Sequence, residues 1–288
     1  MLFNLSDITC LQHRHLRLSS EKSMRPVSNF MKPSKQKISF GLVAKEYQKY
    51  RRSYDPKLYD LLFSLLPDKE LKFLDIGCGT GKSTEPIFRA AGERKISVIG
   101  VDPDKAMLHE ARLSAKKKKL PIEYVQGTAE DLPFVESTFD AIISGAAFHW
   151  FGSKRTVGKI KNILKTDGVF MVFWTQYVRT NKPAIGSRLY EKYNWRGIPK
   201  KFRGQKYVVG LLKEIGFKKV KKVSIPFTEK LTIPQVIGTL KTNSSYALMS
   251  PKVKQKFVKE MMAAYKEALG KNKYDINDLQ LRICYGFR

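Results

Sequence analysis

Acidic residues and cysteines are both scarce in this sequence. Asp and Glu number 26 against 54 Lys and Arg. There are three cysteines, Cys10, Cys78 and Cys284, and none stands in a Cys-x-x-Cys pair. An odd, scattered set of this kind excludes a disulfide framework and a zinc site, so no metal is expected. No run of about 18 apolar residues occurs, which excludes a transmembrane helix, and no internal repeat is visible. What is present suffices for a core: 288 residues, 42% hydrophobic and 11% aromatic, enough for one large domain or one domain with a sizeable insertion. The composition is that of an intracellular chain, with a cytoplasmic location and a monomeric state as the expectations.

The deficit of acids leaves a formal net charge of +28. A nucleic-acid partner would explain it. Such binders concentrate arginine and aromatics on one element, whereas lysine here recurs everywhere: Lys116 to Lys119, then Lys218, Lys219, Lys221 and Lys222, then Lys252, Lys254 and Lys256. That dispersion favours a lysine-biased solvated surface over a dedicated groove. An anionic small substrate is compatible with either.

A third lack is more informative. The stretch FLDIGCGTGKST, residues 73 to 84, carries Gly77, Gly79 and Gly81 followed by Lys82 and Ser83. A phosphate-binding loop needs a glycine where Ile76 stands, and a dinucleotide fingerprint needs one where Lys82 stands. Lys82 and Ser83 therefore read as helix-start residues. What remains is a strand, an acid and Gly-x-Gly-x-Gly.

Along the chain, residues 1–34 are rich in Arg and Ser without periodicity, and are expected to form a flexible or organelle-targeting extension. From residue 40 helices and strands alternate. Leu58, Leu61, Leu62, Leu65 and Leu66 have helical spacing; LKFLDIG, KISVIGVD, IEYVQG, FDAIISG and GVFMVFW read as buried strands. KSTEPIFRAAG reads as a helix closed by Gly92, and PDKAMLHEARLSAKKK and VGKIKNILK as further helices. Later come a helix, KYVVGLLKEIG, and an alternating strand, FKKVKKVSIPF. Thr232 and Gln235 then open a helix at capping-box spacing. Val253, Phe257, Met261 and Tyr265 share one helix face, and LQLRICYGFR is a closing strand. The fold class expected is α/β: a Rossmann-like, seven-stranded, mostly parallel sheet with helices on both faces and the last strand antiparallel. A domain over residues 35–288 would carry a helical insertion at about 228–275, near the C-terminus.

Asp102 follows Gly79 by 23 residues and ends the second strand, where a carboxylate can accept bonds from ribose hydroxyls. A ligand with an adenosine ribose and no phosphate at the loop fits these parts, and S-adenosylmethionine is such a ligand. FLDIGCGTG, VIGVDPDKAML, VQGTAEDLPF, FDAIISGAAFHWF and ILKTDG occur in the order and spacing of class I S-adenosylmethionine-dependent methyltransferases, and this chain resembles that family (methyltransferase type 11 domain). YQKYRRSYDPKLYDLL, FHWF and LTIPQVIGTLKTNSSY are similar to segments of its trans-aconitate-methyltransferase-like, small-molecule branch. Against that branch, Arg52 and Asp55 replace prolines, Thr166-Asp167 replaces Pro-Gly, Asn243 replaces a tryptophan, and Thr128 stands where many relatives have an acid.

The resemblance implies a cofactor site of Asp75, Gly77, Gly79, Gly81, Asp102, Pro103, Met107, Ala129 and Glu130. Asp75 either orients the loop or reaches the methionine amino group. Met107 packs on the adenine or is core, and Cys78 is a small residue between glycines rather than a nucleophile. Tyr47, Tyr50, Arg51 and Tyr54 form a lid in which Arg51 meets a carboxylate, unless it is simply solvated. His149 is a general base or part of an aromatic wall with Phe148, Trp150 and Phe151. His149, Arg51 and Tyr50 are thus the candidates for chemistry, and Tyr47, Tyr54, Phe148 and Trp150 for the acceptor pocket. The function expected is O-methylation of a small carboxylic acid. A nucleic-acid methyltransferase is one alternative, though the Asp/Asn-Pro-Pro-aromatic tetrapeptide of many such enzymes is missing. A non-catalytic S-adenosylmethionine-binding protein is the other.

Overall fold

Buried strands separated by helices need helices on both faces of their sheet, and the computed structural model has that layout. It describes residues 40–178, 184–193, 195 and 204–288; the expected extension over residues 1–34 lies outside them. The strands are β1 (Leu71–Ile76), β2 (Ile96–Asp102), β3 (Ile122–Gln126), β4 (Phe139–Gly145), β5 (Leu164–Tyr177), β6 (Lys218–Leu231) and β7 (Asp275–Phe287). They form one sheet in the order β3-β2-β1-β4-β5-β7-β6. The first five run parallel. β7 runs antiparallel to both neighbours, with Phe173 opposite Ile283 and Ile283 opposite Val223. The expected antiparallel last strand is therefore present, and it lies beside β6 at the sheet edge.

The helices are α1 (Ala44–Tyr50), α2 (Pro56–Ser64), α3 (Pro86–Ala91), α4 (Lys105–Lys118), α5 (Lys154–Ile163), α6 (Ser187–Lys192), α7 (Gln205–Glu214), α8 (Ile233–Lys241), α9 (Ser244–Ala247) and α10 (Pro251–Leu269). On one face Leu58, Leu62 and Phe63 of α2 and Ile87 of α3 pack on Phe73, Val98 and Ile143. On the other, Val157 and Ile160 of α5 and Leu211 and Leu212 of α7 pack on Leu74, Ile142 and Phe170. α8, α9 and α10 lie between β6 and β7 and share a separate core of Val236, Ile237, Phe257, Met261 and Tyr265. Thr232 and Gln235 make the expected capping box of α8.

Local chemistry sets the ends. Asp55 caps α2, accepting from the Lys57 amide, and Pro56 follows at the first helical position, where its missing N–H is no loss. α4 ends in Lys116, Lys117 and Lys118, favourable beside the negative end of the helix dipole. Several boundaries differ from the sequence reading, β6 and β7 each being longer than expected. α3 begins at Pro86, so Lys82 and Ser83 belong to a turn before the helix. β5 runs from Leu164, past a register shift, to Tyr177.

Candidate functional site

The glycine loop lies at the carboxyl end of β1, where open α/β sheets hold ligands. Gly77, Gly79 and Gly81 all have positive φ, +73°, +55° and +82°, a region costly for residues with a Cβ. Asp75 anchors the loop from below. Its Oδ2 accepts from Ser83 Oγ at 2.6 Å and Thr84 Oγ1 at 2.7 Å. Its Oδ1 is buried without a partner. Burial pushes the Asp75 carboxyl up to about 6, against the two hydroxyl bonds that favour the charged form. Tyr59 Oη closes the turn on the Ser83 carbonyl at 2.9 Å. Cys78 points away, into the α4 side among Leu108, Ala111 and Tyr124; burial raises its thiol well above the ordinary range, so it is an inert thiol.

Asp102 ends β2 half-buried. One carboxylate oxygen accepts from the Gly79 amide and the other from the Asp104 amide, both at 2.9 Å. Each oxygen keeps a second lone pair for a ribose hydroxyl. Burial raises the Asp102 carboxyl, and the two amide bonds pull it back. Met107 is buried with its methyl against Gly79: a Cβ there would sit 3.2 Å from Cε. Ala129 is buried nearby in the α5-side core with Val101. Pro103 is exposed and its carbonyl accepts from Gln126, while Glu130 is exposed and its carbonyl accepts from Lys159. A tight glycine loop, an orphaned buried acceptor and a carboxylate with free lone pairs suit an adenosine joined to an amino acid, and the residues present fit S-adenosylmethionine.

The roof is α1. Ala44, Tyr47, Gln48 and Arg51 recur at helical spacing along it, and Gln48 Oε1 is buried without a partner. Arg51 Nε donates to Thr242 Oγ1 at 2.7 Å, and its guanidinium carbon lies 5.3 Å from the Tyr47 ring centre. Burial raises the Tyr54 hydroxyl, and the charges of Asp75 and Arg51 act on it in opposite directions. The Tyr54 ring stands edge-on to Phe173, centroids 4.6 Å apart. Arg52 turns away to Glu229 on β6, 2.6 Å. Tyr50 abuts Gly238 of α8, where a Cβ would meet its ring at 2.2 Å. That contact makes Tyr50 the packing link between α1 and α8.

Beyond β4, His149 stands beside Trp150 with ring centroids 4.8 Å apart, and Trp150 meets Phe40 at 6.2 Å. Phe148 goes elsewhere. It is buried against Phe151, Phe170 and Gly152, in the core beneath α5, rather than in a pocket wall. The sequence reading missed Gln48, Thr242 and Gly238. Gln48 was within reach, one residue after Tyr47 and three before Arg51. Thr242 and Gly238 reach the site only because α8 folds back on α1, which no local pattern announces.

Residues 74–172 match a family model described as methyltransferase domain. An uncharacterized methyltransferase of Mycobacterium tuberculosis, Rv3342, is 29% identical over 214 residues, 74% of this chain and 79% of its own length. In fold, the chain is similar to the YcgJ protein of Bacillus subtilis (TM-score 0.51, 18% identity, 81% of this chain and 99% of that one). A phosphoethanolamine N-methyltransferase of Haemonchus contortus in complex with S-adenosylhomocysteine gives a TM-score of 0.50 at 16% identity, covering 86% of this chain and 57% of that one. With the methyltransferase-domain match spanning the strands that build the cradle, the chain is an S-adenosylmethionine-dependent methyltransferase, and S-adenosylmethionine is its cofactor.

Proposed function

We propose that the acceptor is a small carboxylic acid and the product its methyl ester, as in the trans-aconitate-methyltransferase-like branch. Arg51 carries this reading. Among the described residues it has no carboxylate partner, whereas the neighbouring Arg52 is spent on Glu229. Thr242 fixes its Nε, which leaves the terminal nitrogens as paired donors for a planar anion. Bound S-adenosylmethionine supplies an electrophilic methyl, and what the protein adds is alignment and exclusion of water. Tyr47 and Tyr54 narrow the space beneath α1, and Tyr50 holds that helix against α8. An acid is already ionised at pH 7, so no base is required. His149 then serves, with Trp150, as a wall.

The test is an acceptor screen with methyl-labelled cofactor over mono-, di- and tricarboxylic acids, phenols, amines and RNA. The expected product is labelled ester that alkali releases. Alkali-stable label on a phenol, an amine or RNA would overturn the assignment. Arg51→Gln should raise the acceptor KM at least tenfold, as loss of a charge-assisted pair does (about 1.5–3 kcal/mol). If Arg51 serves the cofactor carboxylate instead, the same variant weakens S-adenosylhomocysteine and spares 5′-methylthioadenosine, which lacks the amino-acid end.

A further inference from the structure

The loop that ends β2 does more than present Asp102. Asp104, two residues on, caps α4: its Oδ1 accepts from the Ala106 amide at 2.9 Å and the Met107 amide at 3.3 Å. Its Oδ2 accepts from the amide of Gly41, 63 residues earlier, at 2.8 Å. Gly41 sits in a 3-10 turn, Phe40–Val43, that leads directly into α1. The approach is close enough that a Cβ on Gly41 would meet Oδ1 at 2.5 Å, Oδ2 at 2.9 Å and Ala106 Cβ at 3.0 Å. From the same turn Phe40 reaches across to Tyr47, 6.4 Å, and Trp150, 6.2 Å, between ring centres.

These bonds join in series. The Gly79 amide donates to Asp102, the Asp104 amide donates to Asp102, and the Gly41 amide donates to Asp104. One run of hydrogen bonds connects the glycine loop, the ribose-reading carboxylate and the root of the roof. Capping alone does not require an aspartate, since serine or asparagine caps equally well. What aspartate adds is a second acceptor oxygen, and that oxygen is the one on Gly41.

We infer that Asp104 is a positioning residue that fastens the α1 roof over the ribose site, so that its second carboxylate oxygen governs how long the cofactor stays. It need not touch the cofactor to do so. Without the fastening, the turn at Phe40–Val43 loses its hold on α4 while α8 still grips α1 through Tyr50 and Arg51. The roof is then held firmly by α8 at one end and at the other keeps packing such as the ring contact of Phe40 with Trp150 but not this hydrogen bond, and the cofactor escapes past that loosened end.

Asp104→Asn keeps a capping oxygen but turns an amide donor toward the Gly41 N–H. Gly41→Ala keeps Asp104 and breaks the approach. The affinity and dissociation rate of S-adenosylhomocysteine, by calorimetry and rapid mixing, are measured for both single variants and the double. Thermal unfolding of the ligand-free proteins is followed alongside. Each single substitution is expected to weaken binding about tenfold, mostly through faster release, equal to about 1.4 kcal/mol. The double should lose no more than either single, because one interaction is removed twice. The unfolding midpoint of Asp104→Asn should stay near wild type, since the cap survives. Wild-type affinity in either single variant overturns the inference, as do losses that multiply in the double. If Gly41→Ala fails to fold, Asp104→Ser replaces it: serine caps with its single oxygen and cannot reach Gly41. Equal losses in Asp104→Ser and Asp104→Asn then support the fastening, and wild-type affinity in Asp104→Ser overturns it.

Discussion

Asp75 shows how one side chain ties stability to ligand. Its carboxyl titrates at about 6 in the folded chain, against an ordinary 3.8, because it is buried. An acid with a raised folded pKa binds its proton more firmly in the native state. Its contribution is therefore complete below 3.8 and is lost as pH rises through about 6. Ligand-free wild type should lose stability relative to Asp75→Asn between about pH 4 and 6, by on the order of 3 kcal/mol at 1.36 kcal/mol per unit. Denaturant midpoints at a series of pH values measure this. If the cofactor's ammonium is the partner of the orphaned Oδ1, it favours the charged carboxylate. S-adenosylhomocysteine should accordingly bind more tightly as pH rises from 5 to 7 in wild type, and with a flat profile in Asp75→Asn. A flat wild-type profile would remove Asp75 from the amino-acid subsite. At His149 the expectation is different. If the acceptor is a carboxylate, His149→Gln leaves the shape of the kcat/KM–pH profile unchanged. Loss of the acidic limb of that profile would show a base at work and a phenolic acceptor.

At the scale of elements, α1 and α8 behave as one unit. They touch where Gly238 admits the Tyr50 ring, and again where Thr242 holds Arg51. Gly238→Ala places a methyl 2.2 Å from that ring. It should cost about 1–3 kcal/mol by overpacking, visible as a lower unfolding midpoint, and should raise the acceptor KM more than it weakens S-adenosylhomocysteine. Equal effects on both would mean that α8 shapes the cofactor site rather than the acceptor site. This contact also marks where sequence legibility ended. The strands were readable because buried β-branched runs leave a two-way choice of partner that alternating helices resolve. The floor of the site was readable because Asp75, the glycines and Asp102 act through backbone geometry with fixed spacing. The roof was readable only on its own helix. Tyr47, Arg51 and Tyr54 follow from the resemblance of their own segment, but Tyr50 faces α8, and Thr242 lies 191 residues beyond Arg51. Phe148 was misplaced for a related reason. In FHWF every residue is aromatic, and only the turn after β4 decides that Phe148 enters the core while Trp150, 48% exposed, does not.

The charge belongs to the whole molecule. Lys218, Lys219, Lys221 and Lys222 are exposed on β6, the edge strand, where unpaired backbone would otherwise invite another chain. Lys252, Lys256 and Lys259 line the exposed side of α10, whose other side is buried through Phe257 and Met261. Lys116 to Lys118 close α4. These three sets lie on different elements, and the described residues hold few acids to offset them. A charge of +28 so distributed repels itself and opposes the compact state. Screening should relieve it: the unfolding midpoint of the ligand-free protein is expected to rise between about 0.02 and 0.2 M salt, as the Debye length falls below about 10 Å. The same distribution dictates how the protein meets a polyanion. Binding to RNA or heparin should be independent of sequence and fall steeply with salt. Changing Lys219, Lys221 and Lys222 to Gln should reduce the slope of log affinity against log salt by about as much as changing Lys252, Lys256 and Lys259, because each set removes three of many equivalent contacts. If one triple abolishes binding and the other leaves it intact, the charge is organised into a groove, and a nucleic-acid acceptor displaces the carboxylic acid as the reading to pursue.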